Sequence, residues 1–355
     1  MKPEERLKLI KEVGEEIIQE DELLELLKVK KNPIAYDGFE PSGRIHIAQG
    51  LLRAINVNKL TKSGIKFKFW VADWFALMNN KMGGDLEKIQ NVGKYFIEVW
   101  KACGMDLENV EFLWASEHMT QEYWLLVLKI GTLNSVTRIT RCSQIMGRTE
   151  ENLSAAQIFY PCMQAADIFH LNVDIAQLGM DQRKVNVLAR EIAPKLGKKK
   201  PIAVHHHMLM GLTQPKTEAT GIDAAIAKKM SKSNPNSAIF MTDTKEEITQ
   251  KFKKAYCPEG EVKDNPVLEY CKYIVFEKIS EFTIERPEKF GGNVTYTSYE
   301  ELEKAFVDKE VHPMDLKAAT AKYIDTFIEP VRQYFAKNKK AKDLLDKVNS
   351  YQVTK

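Results

Sequence analysis

Two lysines three positions apart lie in a hydroxyl-rich pentapeptide, Lys229-Met230-Ser231-Lys232-Ser233. Ammonium groups on such a loop can close over a triphosphate and stabilise the charge that develops on leaving pyrophosphate. Far upstream the chain reads His46-Ile47-Ala48-Gln49-Gly50, shortly after Pro41-Ser42-Gly43. If Lys229–Ser233 stood alone, a solvated surface turn would explain it. Together and in this order, the two segments predict an ATP site used for adenylation.

The upstream segment has the composition of a phosphate-binding turn between a strand and a helix. Gly38, Ser42 and Gly43 are small enough for the backbone to approach a ligand closely. We expect a helix from about Ile47, whose N-terminus would offer N–H groups and partial positive charge to phosphates. His46 could donate a hydrogen bond to a phosphate oxygen as charge builds up. For this segment alone, a plain strand–turn–helix is the alternative.

A polar stripe marks a second candidate region. Tyr160, Gln164 and Asp167 recur at spacings of four and three residues, which places them on one face of a helix. Polar side chains that point into a sheet are costly to bury without partners. A satisfied internal network would explain Asp167 alone. Once Tyr36 and Gln182 join from separate segments, the stripe favours a substrate-binding site.

Composition limits the class of protein. The chain has 355 residues, enough for two domains with separate cores. Its apolar runs are far short of the ~20 residues that a membrane-spanning helix needs, and its charged N-terminus does not resemble a signal peptide. Five irregularly spaced cysteines favour reduced thiols in a cytoplasmic protein over disulfides or a zinc site. A net charge of +3 neither requires nor excludes nucleic acid. We therefore predict a cytoplasmic protein with no membrane partner.

The run His205-His206-His207 does not predict a metal site. Consecutive side chains on a strand alternate between its faces, so the three imidazoles cannot converge on one ion. Cysteine or carboxylate ligands at suitable spacing are also missing from the surrounding sequence. We predict no metal ligands in the chain itself.

Short apolar runs alternate with longer helical patterns over the first two thirds of the chain. This alternation predicts an α/β fold with a doubly wound, Rossmann-like parallel sheet. Strands are expected at Ile34–Tyr36, Phe67–Ala72, Val110–Trp114, Val173–Ile175 and Ile202–Val204. Before them, apolar residues at helical spacing predict one or two amphipathic helices within residues 1–29.

After Asn234-Pro235-Asn236 helical patterns dominate. We expect helices at Lys245–Tyr256, Val267–Phe276, Tyr299–Val307 and Pro313–Phe335. The predicted organisation is N-terminal helices (1–30), a Rossmann-like catalytic domain (31–227) with an inserted segment at about 115–152, the lysine-rich loop and linker (228–240), and a mainly α-helical C-terminal domain (241–355).

The segment His46–Gly50 resembles the first, or HIGH, signature of class I aminoacyl-tRNA synthetases. The segment Lys229–Ser233 resembles their second, or KMSKS, signature. The intervening sequence is similar to tyrosyl-tRNA synthetases of the archaeal and eukaryotic type. Tyr160–Asp167 matches that family's Tyr-Pro-x-x-Gln-x-x-Asp element, and Gly179–Lys184 matches its Gly-x-Asp/Glu-Gln-Arg-Lys element. Arg286–Gly292 and His312–Leu316 match its anticodon-binding domain. The similarity runs from about residue 34 to residue 335, nearly the whole chain.

The resemblance implies a tyrosine–tRNA ligase. Such an enzyme activates L-tyrosine with ATP, which Mg²⁺ accompanies, and transfers the tyrosyl group to the 3′-terminal adenosine of tRNA(Tyr). By resemblance, Tyr160, Gln164 and Gln182 hold the substrate's ammonium group, while Tyr36 and Asp167 bind its phenol. Asp181 is expected on the ATP ribose, and the stretch His205-His206-His207 beside the adenine, with His205 at a position that is usually histidine in the family. The implied ATP contacts are Gly38, Ser42, His46, Gly50, Gly179, Asp181, Lys229, Met230, Ser231 and Lys232; the implied catalytic residues are His46, Gln49, Lys229 and Lys232.

The resemblance also implies contacts with tRNA. Phe290 offers an aromatic face and Asp315 an acceptor for a guanine edge, which fits an unstacked anticodon base read on its pairing edge. Arg138 and Arg141 could meet the acceptor stem across a dimer interface, since the family implies a homodimer. A solvated basic helix face is the alternative for these two arginines.

Several positions depart from the common family pattern. Ala48 and Gln49 stand where glycine and histidine are usual, although glutamine can still donate to a phosphate. Lys232 stands where many relatives have a second serine, and so adds a cation. Trp74-Phe75 stands where Leu-His is frequent, and is expected to reshape one wall of the tyrosine pocket. Tryptophanyl-tRNA synthetase and a non-catalytic tRNA-binding paralogue are the competing interpretations.

Overall fold

A computed structural model describes residues 1–143, 153–215, 228, 230 and 237–351. These residues include a six-stranded sheet in the order β1-β6-β5-β2-β3-β4. Neighbours among β2 to β6 pair in parallel, and β1 pairs antiparallel with β6. The predicted doubly wound α/β fold is confirmed. The strands are β1 (Gly14–Ile18), β2 (Ile34–Phe39), β3 (Lys66–Val71), β4 (Val110–Trp114), β5 (Ile175–Gly179) and β6 (Ile202–His206).

Helices accompany the sheet and then dominate the rest of the chain. Those of the sheet region are α1 (Pro3–Lys11), α2 (Glu20–Val29), α3 (Leu51–Lys62), α4 (Asp73–Met78), α5 (Leu86–Ala102), α6 (Ala115–His118), α7 (Gln121–Thr132), α8 (Val136–Ser143), α9 (Ala155–His170) and α10 (Arg183–Ile192). Later helices are α11 (Lys245–Lys254), α12 (Pro266–Tyr270), α13 (Tyr299–Val307), α14 (Pro313–Lys337) and α15 (Lys339–Ser350). None of the helices among the described residues is long and apolar enough to cross a bilayer.

Two details of the helical part differ from simple expectation. After α12 the backbone continues through a π-helical turn, Cys271–Val275, and a last helical turn, Phe276–Lys278. A short antiparallel hairpin, β7 (Phe282–Ile284) with β8 (Val294–Tyr296), then precedes α13. The sequence pattern did not predict this hairpin, because three-residue strands are too short to show a period of two.

The sheet separates two hydrophobic cores. Successive residues of a strand point to opposite faces, so Ala35 packs with α3 and α5 while Tyr36 packs with α4, α7, α9 and α10. Phe69 and Trp70 divide in the same way on β3. The core on the Ala35 side continues into the helical part, where it includes Ile324 of α14. The helical part therefore shares a continuous core with one face of the sheet.

The winding direction of the sheet reverses between β2 and β5. From β2 the chain proceeds outwards through β3 to β4, whereas β5 and β6 extend the sheet on the other side. The pairing of β2 with β5 joins Ala35 to Ile175 and Tyr36 to Ala176. In sheets of this kind, ligands bind in the crevice beyond the carboxyl ends of the strands at such a switch point. Residues that follow Tyr36 and Ala176 are therefore placed at a binding crevice.

The segment after β2 is held by the segment that enters the helical part. Ile47 donates its backbone N–H to Ile239 at 2.8 Å, and Met241 donates to Ile45 at 3.0 Å. Between these bonds, His46 forms an isolated antiparallel bridge with Phe240. The turn that follows closes on the carbonyl of His46, and α3 begins at Leu51. The helix expected from about Ile47 therefore starts one turn later.

The sequence pattern predicted only helices in the N-terminal segment, but the structure also contains a strand there. Residues Gly14–Ile18 form the edge strand β1, which pairs with β6 between α1 and α2. Arg6 of α1 fixes this segment to the rest of the fold. Its charged side chain is buried, with only 7% exposed. Its guanidinium donates to the carbonyl oxygens of Ser63, Leu27, Lys30 and Lys31 at 2.6 to 3.2 Å. One side chain thus satisfies the ends of two other helices.

Replacement of Arg6 by alanine is expected to lower the free energy of unfolding by about 3 kcal/mol, because buried carbonyl oxygens lose their donors. Urea denaturation followed by circular dichroism measures the change. Lys8→Ala, an exposed position on the same helix, is the matched control and should change the free energy by less than about 0.5 kcal/mol. Equal effects of the two substitutions would contradict this role for Arg6.

Candidate active site

A cavity of about 340 Å³ opens at the switch point. It lies beyond the carboxyl ends of β2 and β5, where the fold predicts a ligand. Several sequence-predicted site residues line it together: Tyr36, Gly38, Ser42, Gln49, Tyr160, Gln164, Asp167, Gly179, Asp181 and Gln182. His46 and Gly50 are not among its lining residues. Most of the predicted substrate and nucleotide contacts therefore converge on one cavity.

One end of the cavity is built around a buried carboxyl group. Asp167 of α9 is 2% exposed and accepts a hydrogen bond from the Tyr123 hydroxyl at 2.8 Å. Burial raises the pKa of Asp167 well above its ordinary value. Tyr36 is fully buried, and its hydroxyl has no hydrogen-bond partner among the described residues. Burial, and next the negative charge of Asp167, raise the pKa of Tyr36 well above its ordinary value. This end of the cavity can bind a neutral hydroxyl group that both donates and accepts.

Acceptor oxygens gather on another wall of the cavity. The Tyr160 hydroxyl donates to Glu40 at 2.5 Å, and Gln164 Nε2 donates to Gln182 Oε1 at 2.9 Å. Glu40 also accepts from Asn79 Nδ2 at 2.6 Å. A carboxylate flanked by a phenol and amides is suited to an ammonium group, which has three donors and no acceptor.

Sequence reasoning missed Glu40, although it lies in the same glycine-rich segment as Gly38. Its partner Tyr160 is 120 positions away, so neither spacing nor helical periodicity relates them. Tyr123 was missed for the same reason, since 44 positions separate it from Asp167. Lys81 also lines the cavity and was not predicted. Glu40 could have been identified from its position, because it is a carboxylate between Gly38 and Ser42, in the turn that was predicted to bind a ligand.

A buried ion pair forms part of the cavity floor. Asp37 of β2 and Arg53 of α3 are 2.5 Å apart, and both line the cavity. Burial raises the pKa of Asp37 to about 6, although the Arg53 charge opposes this shift. Arg53 also contacts His206 Nδ1 at 3.3 Å. Burial, together with the Arg53 charge, lowers the pKa of His206 well below its ordinary value, so the imidazole is neutral. The ion pair joins the end of β2 to the helix that follows the first signature.

The wall after β5 depends on a close approach of backbone and side chain. A Cβ atom added at Gly179 would lie 2.5 Å from Met208 Sδ and 2.7 Å from Asp181 Oδ1. A larger residue at position 179 would therefore displace both neighbours. At Gly38 the nearest atom to an added Cβ is 3.8 Å away, on Trp70. A Cβ atom at position 38 would therefore clash with no neighbour, and glycine there only makes the cavity larger.

The first signature is divided between the cavity and its support. Gln49 lines the cavity, and its Oε1 is buried without a hydrogen-bond partner among the described residues. Its backbone carbonyl accepts from Trp100 Nε1 at 2.8 Å. A Cβ atom added at Gly50 would lie 2.5 Å from Met241 Cγ, so glycine allows the 239–241 segment to pack here. Gly50 therefore serves the junction between the signature and the linker.

Lys229, Ser231 and Lys232 of the second signature lie outside the described residues. Met230 is buried, and its backbone N–H donates to the Leu209 carbonyl at 3.3 Å. Lys228 forms an ion pair with Asp264 at 2.7 Å. The described neighbours thus fix position 230 beside the segment that follows β6.

The three consecutive histidines have separate surroundings, as strand alternation predicts. His205 Nδ1 lies 2.9 Å from Glu16, and its Nε2 lies 3.0 Å from Asn186. His206 faces the cavity and contacts Gln177 Nε2 at 3.0 Å. His205 is fully buried and is not among the residues that line the cavity, whereas His206 lines it.

Trp74 and Phe75 differ in exposure. Phe75 is buried, lines the cavity and meets the Tyr160 ring edge-on, with ring centroids 4.9 Å apart. Trp74 is partly buried and packs at the margin of the core on the Tyr36 side. The predicted change of a pocket wall therefore concerns Phe75.

The predicted tRNA contacts lie away from the cavity. Phe290 is 63% exposed, and Asp315 occupies the first turn of α14. Arg286 fixes the loop that carries Phe290 by donating to the carbonyl oxygens of Gly292 and Glu310. On α8, Arg138 forms an ion pair with Glu191 at 2.7 Å, whereas Arg141 is exposed. Arg138 is therefore already engaged within the chain.

Comparison with known proteins agrees with this geometry. A family model described as tRNA synthetases class I (W and Y) matches residues 28–329. Tyrosine–tRNA ligase 1, cytoplasmic, of Arabidopsis thaliana is 54% identical over 99% of this chain and 90% of its own length. Tyrosyl-tRNA synthetase from Pyrococcus horikoshii, solved with L-tyrosine, is 41% identical with a TM-score of 0.91, covering 98% of this chain and 100% of that chain.

Two further structures define the limits of the likeness. Leishmania major tyrosyl-tRNA synthetase in complex with tyrosinol is 49% identical with a TM-score of 0.90 over 99% of this chain, which spans 61% of that longer chain. A tryptophanyl-tRNA synthetase from Aeropyrum pernix K1 shares the fold at 19% identity, with a TM-score of 0.68. The chain therefore belongs to the class I aminoacyl-tRNA synthetases and, among them, to the tyrosyl-tRNA synthetases of the archaeal and eukaryotic type.

Proposed function

We propose that the protein activates L-tyrosine with ATP and transfers the tyrosyl group to the 3′-terminal adenosine of tRNA(Tyr). The observation that carries this proposal is the polarity of the cavity. At one end Tyr36 and Asp167 suit a phenol, and on another wall Glu40, Gln164 and Gln182 suit an ammonium group. Tyrosine has both groups, an ammonium on its α-carbon and a phenol hydroxyl at the far end of its side chain.

Discrimination against phenylalanine follows from the same polar groups. A site built to hydrogen-bond a substrate hydroxyl rejects the analogue without it, because its own buried groups are then left unpaired; tyrosyl-tRNA synthetases are a well-known example. The Tyr36 hydroxyl is buried and has no partner among the residues described. Bound phenylalanine would leave the Tyr36 hydroxyl without a hydrogen bond, whereas the phenol of bound tyrosine would pair with it.

The first step forms a mixed anhydride. A carboxylate oxygen of tyrosine attacks the α-phosphorus of ATP, the bond to the bridging oxygen breaks, and pyrophosphate leaves with the electron pair. No protein nucleophile or strong base is required, so positioning and charge stabilisation carry the rate. We assign this stabilisation to His46, Gln49, Lys229 and Lys232, with Asp181 on the ribose. Mg²⁺ enters with the triphosphate as part of the substrate.

The second step requires a bound tRNA. A ribose hydroxyl of its terminal adenosine attacks the tyrosyl carbonyl and releases AMP. Exposed Phe290 can stack on an unstacked anticodon base while Asp315 accepts from its pairing edge. Arg141 is exposed on α8, and we assign it to the acceptor stem; Arg138 joins it only if its ion pair with Glu191 opens.

A second copy of the chain is the proposed partner of α7. Trp124, Leu125 and Leu128 of α7 and Val136 of α8 are 38 to 65% exposed, which is unusual for large apolar side chains grouped on neighbouring helices. Contiguous apolar surface of this kind marks interaction sites, and twofold homodimers are the commonest assembly. We place the dimer, like its relative from Arabidopsis, in the cytoplasm.

Tyrosine-dependent exchange of labelled pyrophosphate into ATP tests the proposed reaction directly. The protein is expected to catalyse exchange with tyrosine and not with phenylalanine or tryptophan. Exchange with tryptophan alone would show that the protein is a tryptophanyl-tRNA synthetase. Failure to form an adenylate with any of the three would favour a non-catalytic tRNA-binding role.

Tyr36→Phe should raise KM for tyrosine about tenfold while changing kcat of exchange by less than about threefold, because it removes one hydrogen bond made equally in ground and transition states. Tyr270→Phe is the matched control, since Tyr270 is also a fully buried tyrosine whose hydroxyl has no partner among the described residues. Similar KM values for Tyr36→Phe and the native protein would exclude the assigned contact.

Asp315→Ala should raise KM for tRNA about tenfold in the charging assay and leave pyrophosphate exchange unchanged, because it removes a base-edge acceptor far from the cavity. Glu310→Ala, an exposed acidic position before the same helix, is the control. Loss of exchange in Asp315→Ala would instead indicate a structural role.

Leu128→Glu should convert the dimer to monomer at micromolar concentration, since a charge would be buried in an apolar interface. Sedimentation equilibrium measures the mass, and Leu107→Glu is the control because Leu107 is 38% exposed outside the α7 surface. A native protein that sediments at the monomer mass of 40.7 kDa would refute the proposed dimer.

A further inference from the structure

One carboxylate of the helical part reaches back to the segment that lines the cavity. Residues 206–210, which we call the cavity strip, begin at the last residue of β6 and continue beyond it. Glu269 of α12 accepts a hydrogen bond from the Met210 backbone N–H at 3.0 Å, and the same oxygen lies 3.1 Å from His207 Nε2. A single side chain therefore holds two positions of the strip from outside the sheet.

The strip is also held from the N-terminal edge. His207 Nδ1 lies 3.1 Å from Glu15 of β1, and its ring stacks on Tyr273 with centroids 4.2 Å apart. His207 therefore lies between the carboxylates of Glu15 and Glu269, which are 254 positions apart in the sequence. Three separate elements, β1, α12 and the π-helical turn, meet on this residue.

The other side of the strip forms the cavity wall. His206 and Met208 line the cavity, and Met208 Sδ occupies the space that a side chain at position 179 would need. The Leu209 carbonyl accepts from the backbone of Met230, the described neighbour of Lys229 in the sequence. A shift of the strip would therefore move the wall beside Gly179 and Asp181, the predicted ATP contacts.

We propose that Glu269 is a positioning residue for ATP, which acts by holding the cavity strip through Met210 and His207. The inference rests on the proposed tyrosine activation and extends it to a residue outside the cavity. Glu269 is not among the lining residues, so its effect on the reaction is transmitted through the backbone of the strip. The tyrosine contacts on α9 belong to another element, so their geometry should change little.

The charges around His207 give the arrangement a pH dependence. Glu15, Glu269, Lys272 and Tyr273 face the ring or its carboxylate partners, and His205 and His206 precede it on β6. Burial lowers the pKa of His207, but the hydrogen bonds to Glu15 and Glu269 outweigh it and raise the pKa to about 9. The charged form is thus present at neutral pH and is lost as pH rises through about 9.

Two substitutions at position 269 separate the two contacts. Glu269→Ala removes both and is expected to raise KM for ATP about tenfold in pyrophosphate exchange, with KM for tyrosine changed less than about twofold. Glu269→Gln keeps an acceptor for Met210 but loses the charge, so a smaller rise of about threefold is expected. Glu300→Gln, at an exposed position of α13, is the matched control and should behave as the native protein.

The pH profile supplies a measurement that a purely structural tie would not change. In the native protein kcat/KM for ATP should fall as pH rises through about 9, beyond any change seen in a His207→Asn variant. In Glu269→Gln the same fall should occur at lower pH, because His207 has lost one carboxylate. If Glu269→Ala does not fold, Glu269→Gln and His207→Asn still provide this comparison.

The outcomes distinguish this inference from the proposed function. An active native enzyme whose Glu269→Gln variant has unchanged KM for ATP and an unchanged pH profile would overturn the positioning role. An equal rise in KM for tyrosine and ATP would also overturn it, since it would indicate general distortion. A native protein with no tyrosine-dependent exchange would instead overturn the proposed function.

Discussion

The pairing of β2 with β5 is the constraint on which the site depends. These strands meet at Ala35–Ile175 and Tyr36–Ala176, where the winding of the sheet reverses. Helices on both faces cover the sheet, but no crossover helix covers the crevice between two strands whose connections leave in opposite directions. Beyond the last pair, residues of both strand ends line the cavity, although Leu178 of β5 still belongs to the core on the Tyr36 side. This geometry places Asp37 and Gly38 opposite Gly179 and Asp181 before any specific chemistry is considered.

The cavity contains polar groups that folding alone leaves incompletely paired. Asp167 is buried with a raised pKa and one phenolic donor, Tyr123, while the Tyr36 hydroxyl is buried without a partner among the described residues. Such groups cost free energy whenever a bound molecule excludes water from them without supplying a hydrogen bond. A ligand that supplies the missing partner recovers this cost, and one that does not is rejected. The burial of these polar groups is therefore the physical origin of the selectivity expected of the site.

The sequence was most informative where signals are local. The alternation of strands and helices predicted five strands near their observed places, and the i, i+4, i+7 spacing placed Tyr160, Gln164 and Asp167 on one helix face. Glu40 and Tyr123 could not be found in this way, because their partners Tyr160 and Asp167 are 120 and 44 positions distant. The strand β1 was missed because the apolar residues of this segment have helical spacing, whereas pairing with β6 extends Gly14–Ile18. Tertiary contact decided each of these cases.

The helical part contributes to the cavity through two fixed attachments. On one side, residues 239–241 pair with residues 45–47, so the first signature is held by the segment that enters the helical part. On the other side, Glu269 holds residues 207 and 210, which continue the wall formed by His206 and Met208. The chain between these attachments includes the second signature, whose Met230 bonds to Leu209. A displacement of α12 relative to the sheet would act on residues 207 and 210, whereas Tyr36 and Asp167 lie on β2 and α9. On the proposed role of Glu269, the helical part is coupled to ATP more strongly than to the amino acid, because the supports of the two substrates come from different elements.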